Sequence, residues 1–307
     1  MPRIARLLLS DQPSVYHVMS RTALDGFPFD ALEKDILLSI IKQFSTIYFC
    51  EVLGFALMGN HFHLLLRMYP PDTVTNQDVT DHFKLRYGPD AVITELQINR
   101  YRQKWTNLSE LMREIKQTFS RSYNRRHNRR GYLWGDRYKS VIVEDGRTLI
   151  NCLAYIDLNP VRAGIVKHPE KYRWCSLGYH LQSGNQDNFL SLDFGLNDWD
   201  IAPKTSTRER LRLYRQFLAE TGTLAPSPNG PRMTIPSRDD RNADDEYTLI
   251  DRLLLRTRWF TDAGIIGSKS FVSRLARRFK VFTVKDRPPK QVTGLNMYSL
   301  KRLSEIV

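Results

Sequence analysis

Gly59-Asn60-His61-Phe62-His63-Leu64-Leu65-Leu66 sets two histidines, one apolar residue apart, at the head of an apolar run. Gly-Asn is a turn-forming pair, and Ala56-Leu57-Met58 ahead of it ends an apolar run, so the segment reads as two buried strands joined by a tight turn. In a strand, residues two apart point to the same face. His61 and His63 therefore project together, their Cα atoms about 6.6 Å apart, within reach of one divalent metal ion. Phe62, Leu64 and Leu66 face the other way, into a core. The alternative is a pair of partly buried structural histidines beside a turn.

Working outward, residues 15–21 alternate like a strand, with Val15, His17, Met19 and Arg21 on one face and Tyr16 and Val18 on the other. His17 reads as structural or DNA-facing and is left outside the metal site. Asp30 has the character of an N-cap, with Glu33 three residues on completing a capping box. Leu32, Ile36, Ile40 and Phe44, with Leu37 and Ile41, form the apolar stripe of a helix over 31–45. Ile47 to Met58 is strand material. Residues 69–106 break the pattern with Pro70-Pro71 and Gly88-Pro89 and read as an insertion, with short helices near 77–86 and 91–103. His82 within it reads as a surface histidine. Asn107 caps a following helix whose apolar face is Leu108, Leu111, Met112, Ile115 and Phe119.

Residues 121–139 are strongly basic, with Arg121, Arg125, Arg126, Arg129, Arg130, Arg137 and Lys139 set against Asp136. Tyr123, Tyr132, Trp134 and Tyr138 are interleaved. Cationic groups neutralise phosphates and aromatic faces stack on unpaired bases, so this stretch reads as a nucleic-acid contact surface. A solvated helix end is the plainer reading, and Trp134 could equally be a core residue. A strand follows from Arg137 to Glu144, then a helix over about 147–158 that buries Leu149, Ile150, Cys152, Leu153 and Ile156. Tyr155 and Asn159 lie four apart, close together on that helix. Tyr155 is a candidate nucleophile or else an ordinary surface or core tyrosine. Pro160 marks a helix stop and restart at Asn159.

The first domain is expected to end near 185. A helix over 207–220, a mobile linker over 223–246 and one or two helices over 247–280, interrupted by Gly264 and Gly267, complete the chain. Arg274, Arg277, Arg278, Lys280, Arg287, Lys290, Lys301 and Arg302 make the end of the chain basic. The whole chain has 307 residues and a formal net charge of +13, which favours an anionic polymer as partner, nucleic acid first and a membrane surface second. Cys50, Cys152 and Cys175 have no paired spacing, which fits a reducing cytoplasm and excludes a zinc knuckle or a disulfide framework. The apolar run at Leu7-Leu8-Leu9 is too short for a secretory signal, and no run approaches the ~18 apolar residues of a membrane span.

Three of these stretches, in order, carry a family resemblance. Met58-Gly59-Asn60-His61-Phe62-His63-Leu64-Leu65 resembles the histidine-hydrophobic-histidine (HUH) motif of single-tyrosine transposases. Leu133-Trp134-Gly135-Asp136-Arg137-Tyr138-Lys139-Ser140 resembles the segment before the catalytic helix in their REP-associated branch. Tyr155-Ile156-Asp157-Leu158-Asn159-Pro160-Val161-Arg162-Ala163-Gly164 resembles that branch's tyrosine motif. The likeness spans about 15–180, with an insertion at 69–106 longer than the family suggests. It implies an α+β fold with a ferredoxin-like antiparallel sheet and packed helices, and the residues beyond 185 read as a mostly helical C-terminal extension. It implies Mg²⁺ or Mn²⁺ bound by His61, His63 and Asn159, and Tyr155 as the nucleophile that cleaves and rejoins single-stranded or hairpin DNA through a 5′-phosphotyrosine. The arginines, lysine and aromatics of 121–139, including Trp134 and Tyr138, would hold the DNA. A cytoplasmic, nucleoid-associated protein without membrane contact is expected, as a monomer rather than a homodimer. A non-catalytic hairpin-binding regulator on the same fold is the alternative.

Overall fold

In the computed structural model, which describes residues 7–193, 195, 206–220, 259–279, 289–292 and 297–301, the hairpin at Gly59-Asn60 forms as the sequence suggests. The Met58 amide donates to the His61 carbonyl at 2.8 Å, closing the turn. In chain order the elements are β1 (Ser14–Arg21), α1 (Ala31–Ser45), β2 (Cys50–Leu57), β3 (His61–Met68), α2 (Asn76–Tyr87), α3 (Glu95–Trp105), α4 (Leu108–Arg126), β4 (Lys139–Val143) and α5 (Arg147–Asp157). A short α6 (Asn159–Arg162) follows the Asn159-Pro160 break, then α7 (Ser176–Ser183) and α8 (Thr207–Glu220). The C-terminal part holds α9 (Trp259–Asp262), β5 (Ala263–Gly267), α10 (Lys269–Arg278), β6 (Lys290–Gln291) and β7 (Tyr298–Lys301).

The seven strands make one mixed sheet in the order β2-β3-β1-β4-β5-β7-β6. Its first four strands are antiparallel to one another, with α1 and α4 as the crossovers, which is the ferredoxin-like arrangement expected. Strand alternation gives the sheet two apolar faces. Tyr16, Val18, Phe55, Phe62, Leu64 and Leu66 pack with α1 and α4. Val15, Leu53, Ala56, Leu65, Val141 and Val143 pack instead under Leu149, Leu153 and Ile156 of α5. Among the described residues no helix is long and apolar enough to cross a membrane.

Several local expectations change in the folded chain. Asp30 does cap α1, accepting from the Glu33 amide at 2.9 Å. The capping box does not close, because the Glu33 side chain is buried and pairs with Arg126 and His127 at the end of α4. The apolar stripe of α1 is therefore turned, leaving Leu32 57% exposed while Leu37, Ile40, Ile41 and Phe44 are buried. The 69–106 insertion is a helical lobe, with capping boxes opening both α2 and α3. His82 is half-buried and held in place. Its Nδ1–H donates to the Ile47 carbonyl at 2.8 Å and its ring stacks on Phe49 at 4.3 Å.

The interruption expected inside 247–280 is itself a strand. Ile265 and Ile266 are fully buried, and β5 runs parallel to β4 with Ile142 opposite Ile265. The chain beyond 185 thus shares the sheet of the chain before it. The linker expected over 223–246 and the basic residues Lys280, Arg287 and Arg302 lie outside the described residues.

α5 rests close on the sheet for two reasons. β2 is irregular between Val52 and Gly54, and at Gly54 a Cβ would lie 2.2 Å from Leu153 Cδ1 and 2.9 Å from Ser176 Oγ. At the helix's other end the fully buried Asp157 accepts from the Tyr214 hydroxyl at 2.7 Å and the Leu177 amide at 3.0 Å, tying α5 to α8 and α7. Gly54→Ala should therefore overpack this contact and lower stability by about 1–3 kcal/mol, read as a reduced urea midpoint with an unchanged slope.

Candidate functional site

The antiparallel register of β1 and β3 sets Met19 opposite His63 and Arg21 opposite His61. All four, with His17, lie on the face covered by α5. His61 and His63 project together as their spacing requires, ring centroids 5.2 Å apart. His17 joins them. Its ring stacks on His63 at 5.1 Å, and its Nε2 lies 2.9 Å from His63 Nδ1. Its own Nδ1 is 2.7 Å from the Phe260 carbonyl oxygen at the start of α9. His61 Nδ1 is 2.8 Å from Asn60 Oδ1.

α5 delivers Tyr155 to this cluster. Its ring centroid is 6.1 Å from that of His63 and 6.0 Å from that of His17, edge-on to both. Phe260 packs against it at 5.0 Å, and the Arg162 guanidinium sits 3.9 Å over the ring centroid. Only 7% of Tyr155 is exposed. His61, His63 and Tyr155, expected to act together, are thus brought together, and His17, set aside on sequence, stands among them.

Asn159 is buried beside them but engaged elsewhere. Its Oδ1 accepts from Arg162 Nη2 at 2.5 Å, and its amide donates to the carbonyls of Tyr155 and Ile156 at 3.2 Å each. Pro160 is the cause. Having no N–H, it leaves the Ile156 carbonyl without its helical donor, and the Asn159 side chain supplies one.

Burial dominates the electrostatics. It lowers the pKa of His17 and of His61 from 6.5 to about 4 and holds His63 well below 6.5, with the positive Arg162 pushing each the same way. All three rings are neutral at pH 7, the state in which an imidazole nitrogen can ligate a metal. Among the described residues, no group of three or more His, Cys, Asp or Glu side chains could hold a metal ion. His61 Nδ1 donates to the Asn60 amide oxygen, which leaves its Nε2 lone pair available, and His63 beside it offers a second ring nitrogen. That set suits a divalent ion as a partial ligand shell.

The basic stretch divides into surface and scaffold. Arg121, Arg125, Arg130, Arg137 and Lys139 are exposed. Arg126 pairs with the buried Glu33, and Arg129 lies against Asn124. Tyr138 is buried, its hydroxyl 2.8 Å from Ser109 Oγ. Trp134 is half-buried and packs against Phe29, Phe62 and Phe119, with its Nε1–H donating to the Lys116 carbonyl at 3.0 Å. The exposed aromatic is Tyr132, 90% accessible. It lines a groove of about 700 Å³ between α4 and residues 131–138, together with Arg113, Lys116, Arg121 and Arg137.

No family model matches this chain, and no curated protein matches it. Among solved structures the chain is similar to one described as a REP-associated tyrosine transposase bound to a REP hairpin. The likeness is remote, at 13% identity and a TM-score of 0.43, over 63% of this chain and 90% of that one.

Proposed function

We propose that this protein binds DNA and carries a tyrosine-based strand-transfer centre built from Tyr155, His61 and His63. The observation that carries the reading is the convergence of a tyrosine from α5 and two neutral histidines from β3 on one sheet face, with ring centroids 6.1 Å apart for Tyr155 and His63. In the proposed reaction the Tyr155 oxygen attacks a backbone phosphorus. A P–O bond to Tyr155 forms, the P–O3′ bond breaks, and the tyrosine proton ends on the departing 3′ oxygen. One phosphodiester is exchanged for another, so the strand can be rejoined without ATP.

His61 and His63 would hold a Mg²⁺ or Mn²⁺ ion, which supplies electrophilic stabilisation of charge on the scissile phosphate. The Arg162 guanidinium over the Tyr155 ring orients the side chain. The groove beside Tyr132 and the exposed Arg121, Arg125 and Arg130 would hold the nucleic acid.

A second reading rests on a specific observation. Tyr155 is enclosed by Phe260 and Arg162, and Asn159 is engaged by Arg162. A chain in that state suits a regulator that binds hairpin DNA without cutting it.

Variants separate the two readings. Tyr155→Phe keeps the ring and removes the attacking oxygen, so cleavage of hairpin-bearing single strands should be lost while binding stays within about twofold. His61→Ala and His63→Ala should each abolish metal-dependent cleavage. Cleavage by any of the three at the wild-type rate contradicts the assigned centre, and a wild-type chain that binds but never cuts is the regulator.

DNA binding is tested separately by titration at several salt concentrations. Replacing Arg121, Arg125 and Arg130 with Ala should flatten the slope of log K against log salt, by about 0.7 for each phosphate no longer neutralised on single strands and 0.9 on duplex. Tyr132→Ala should cost about 1–3 kcal/mol of binding with the slope unchanged, because stacking releases few counterions. Arg126→Ala should instead lower the melting temperature, since it leaves Glu33 buried with His127 alone. An unchanged slope in the folded triple variant would move the DNA to another surface.

A further inference from the structure

We infer that His17 and the backbone carbonyl of Phe260 act together as positioning groups that hold His63 in its Nδ1–H tautomer, leaving the lone pair on Nε2. The purpose assigned to that lone pair, metal ligation, rests on the function proposed above. The tautomer itself follows from the hydrogen bonds.

The chain of bonds has one fixed end. A carbonyl oxygen only accepts, so the 2.7 Å contact between Phe260 O and His17 Nδ1 puts the proton on His17 Nδ1. A neutral imidazole carries one N–H, so His17 Nε2 holds a lone pair. The 2.9 Å contact from His17 Nε2 to His63 Nδ1 then requires His63 to donate. His63 Nδ1 keeps its proton and Nε2 is left as the electron-pair donor. Reversing the second bond would put the proton of His63 on Nε2 and remove that donor from the site.

Burial and packing enforce the order. His17 is 2% exposed and His63 1%, so water does not compete for either contact. The two rings lie nearly parallel, 15° apart, and the Phe260 ring packs against Tyr155 from the same short helix. The α9 turn therefore touches the site twice, once through a backbone oxygen and once through an aromatic face. Phe260 stands 243 residues after His17 in the sequence. This assigns a role at the site to a part of the chain lying well outside the 15–180 stretch. Partners of this kind orient metal-binding histidines and typically change affinity by about 10–100-fold when removed.

The test is ¹⁵N-histidine labelling of the full chain, without metal, at neutral pH, with long-range ¹H–¹⁵N correlation spectra to assign both ring nitrogens. His63 should show a protonated Nδ1 and an unprotonated Nε2, and His17 the same. His17→Phe removes the acceptor and should return His63 toward Nε2–H. His17→Gln keeps one acceptor and one donor and should retain the wild-type tautomer. A Mn²⁺ titration should show about 10–100-fold weaker binding in the folded Phe variant and a smaller loss in the Gln variant. Wild-type His63 protonated at Nε2 overturns the inference, as does a folded Phe variant whose His63 tautomer is unchanged. A wild-type chain with the expected tautomer but no Mn²⁺ binding supports the bond chain and contradicts the metal role. The wild-type spectrum decides the tautomer even if the Phe variant fails to fold.

Discussion

The pairing of β1 with β3 sets both the core and the histidine cluster of this protein. It is antiparallel along all eight residues of each strand, from Ser14 opposite Met68 to Arg21 opposite His61. Because side chains alternate, a slip of β3 by one residue would send His61 and His63 to the α1/α4 face, away from His17, and bring Phe62 and Leu64 under α5. The apolar demand of both faces forbids that slip. Tyr16, Val18, Phe62 and Leu64 are all buried to within 1%. The same register that satisfies the core therefore gathers three imidazoles on the opposite face.

A second layer of contacts brings the tyrosine to them. Gly54 lets α5 settle on the sheet, and the buried Asp157 holds its last turn through Tyr214 and Leu177. Burial raises the Asp157 pKa from 3.8 to about 6, with its hydrogen bonds to neighbouring groups opposing that rise. Beyond Asp157, Asn159 supplies the donor that Pro160 lacks, and Arg162 covers Tyr155. The polar groups at this end of the helix are thus committed to one another, and together they fix the position of the Tyr155 ring.

Much of this was legible in the sequence because it rests on local periodicity. The Gly59-Asn60 turn, the alternation of residues 15–21, the caps at Asp30 and Asn107, and the α5 stripe all follow from neighbouring residues. What escaped depends on distant partners. Nothing near His17 announces a carbonyl 243 residues away, so its share in the site was missed. The one available signal was its alternation with Met19 and Arg21 toward the side opposite Tyr16. Arg126 read as a DNA contact because the buried Glu33 lies 93 residues before it. Trp134 read equally as a stacking surface or a core residue; it is half-buried against Phe29, Phe62 and Phe119, while Tyr132 projects. β5 was hidden because five residues between two helices carry too little period to be told from a helix break.

In the proposed reaction the Tyr155 oxygen forms the covalent bond to DNA. The most direct measurement is to incubate the chain with Mn²⁺ and a pool of hairpin-bearing single-stranded oligonucleotides, digest protein and DNA, and locate the nucleotide-modified residue by peptide mass spectrometry. A phosphonucleotide is expected on the peptide that contains Tyr155, joined through the tyrosine oxygen. A modification on Tyr132, Tyr138 or Tyr172, or DNA bound in full with no modified peptide, would contradict it.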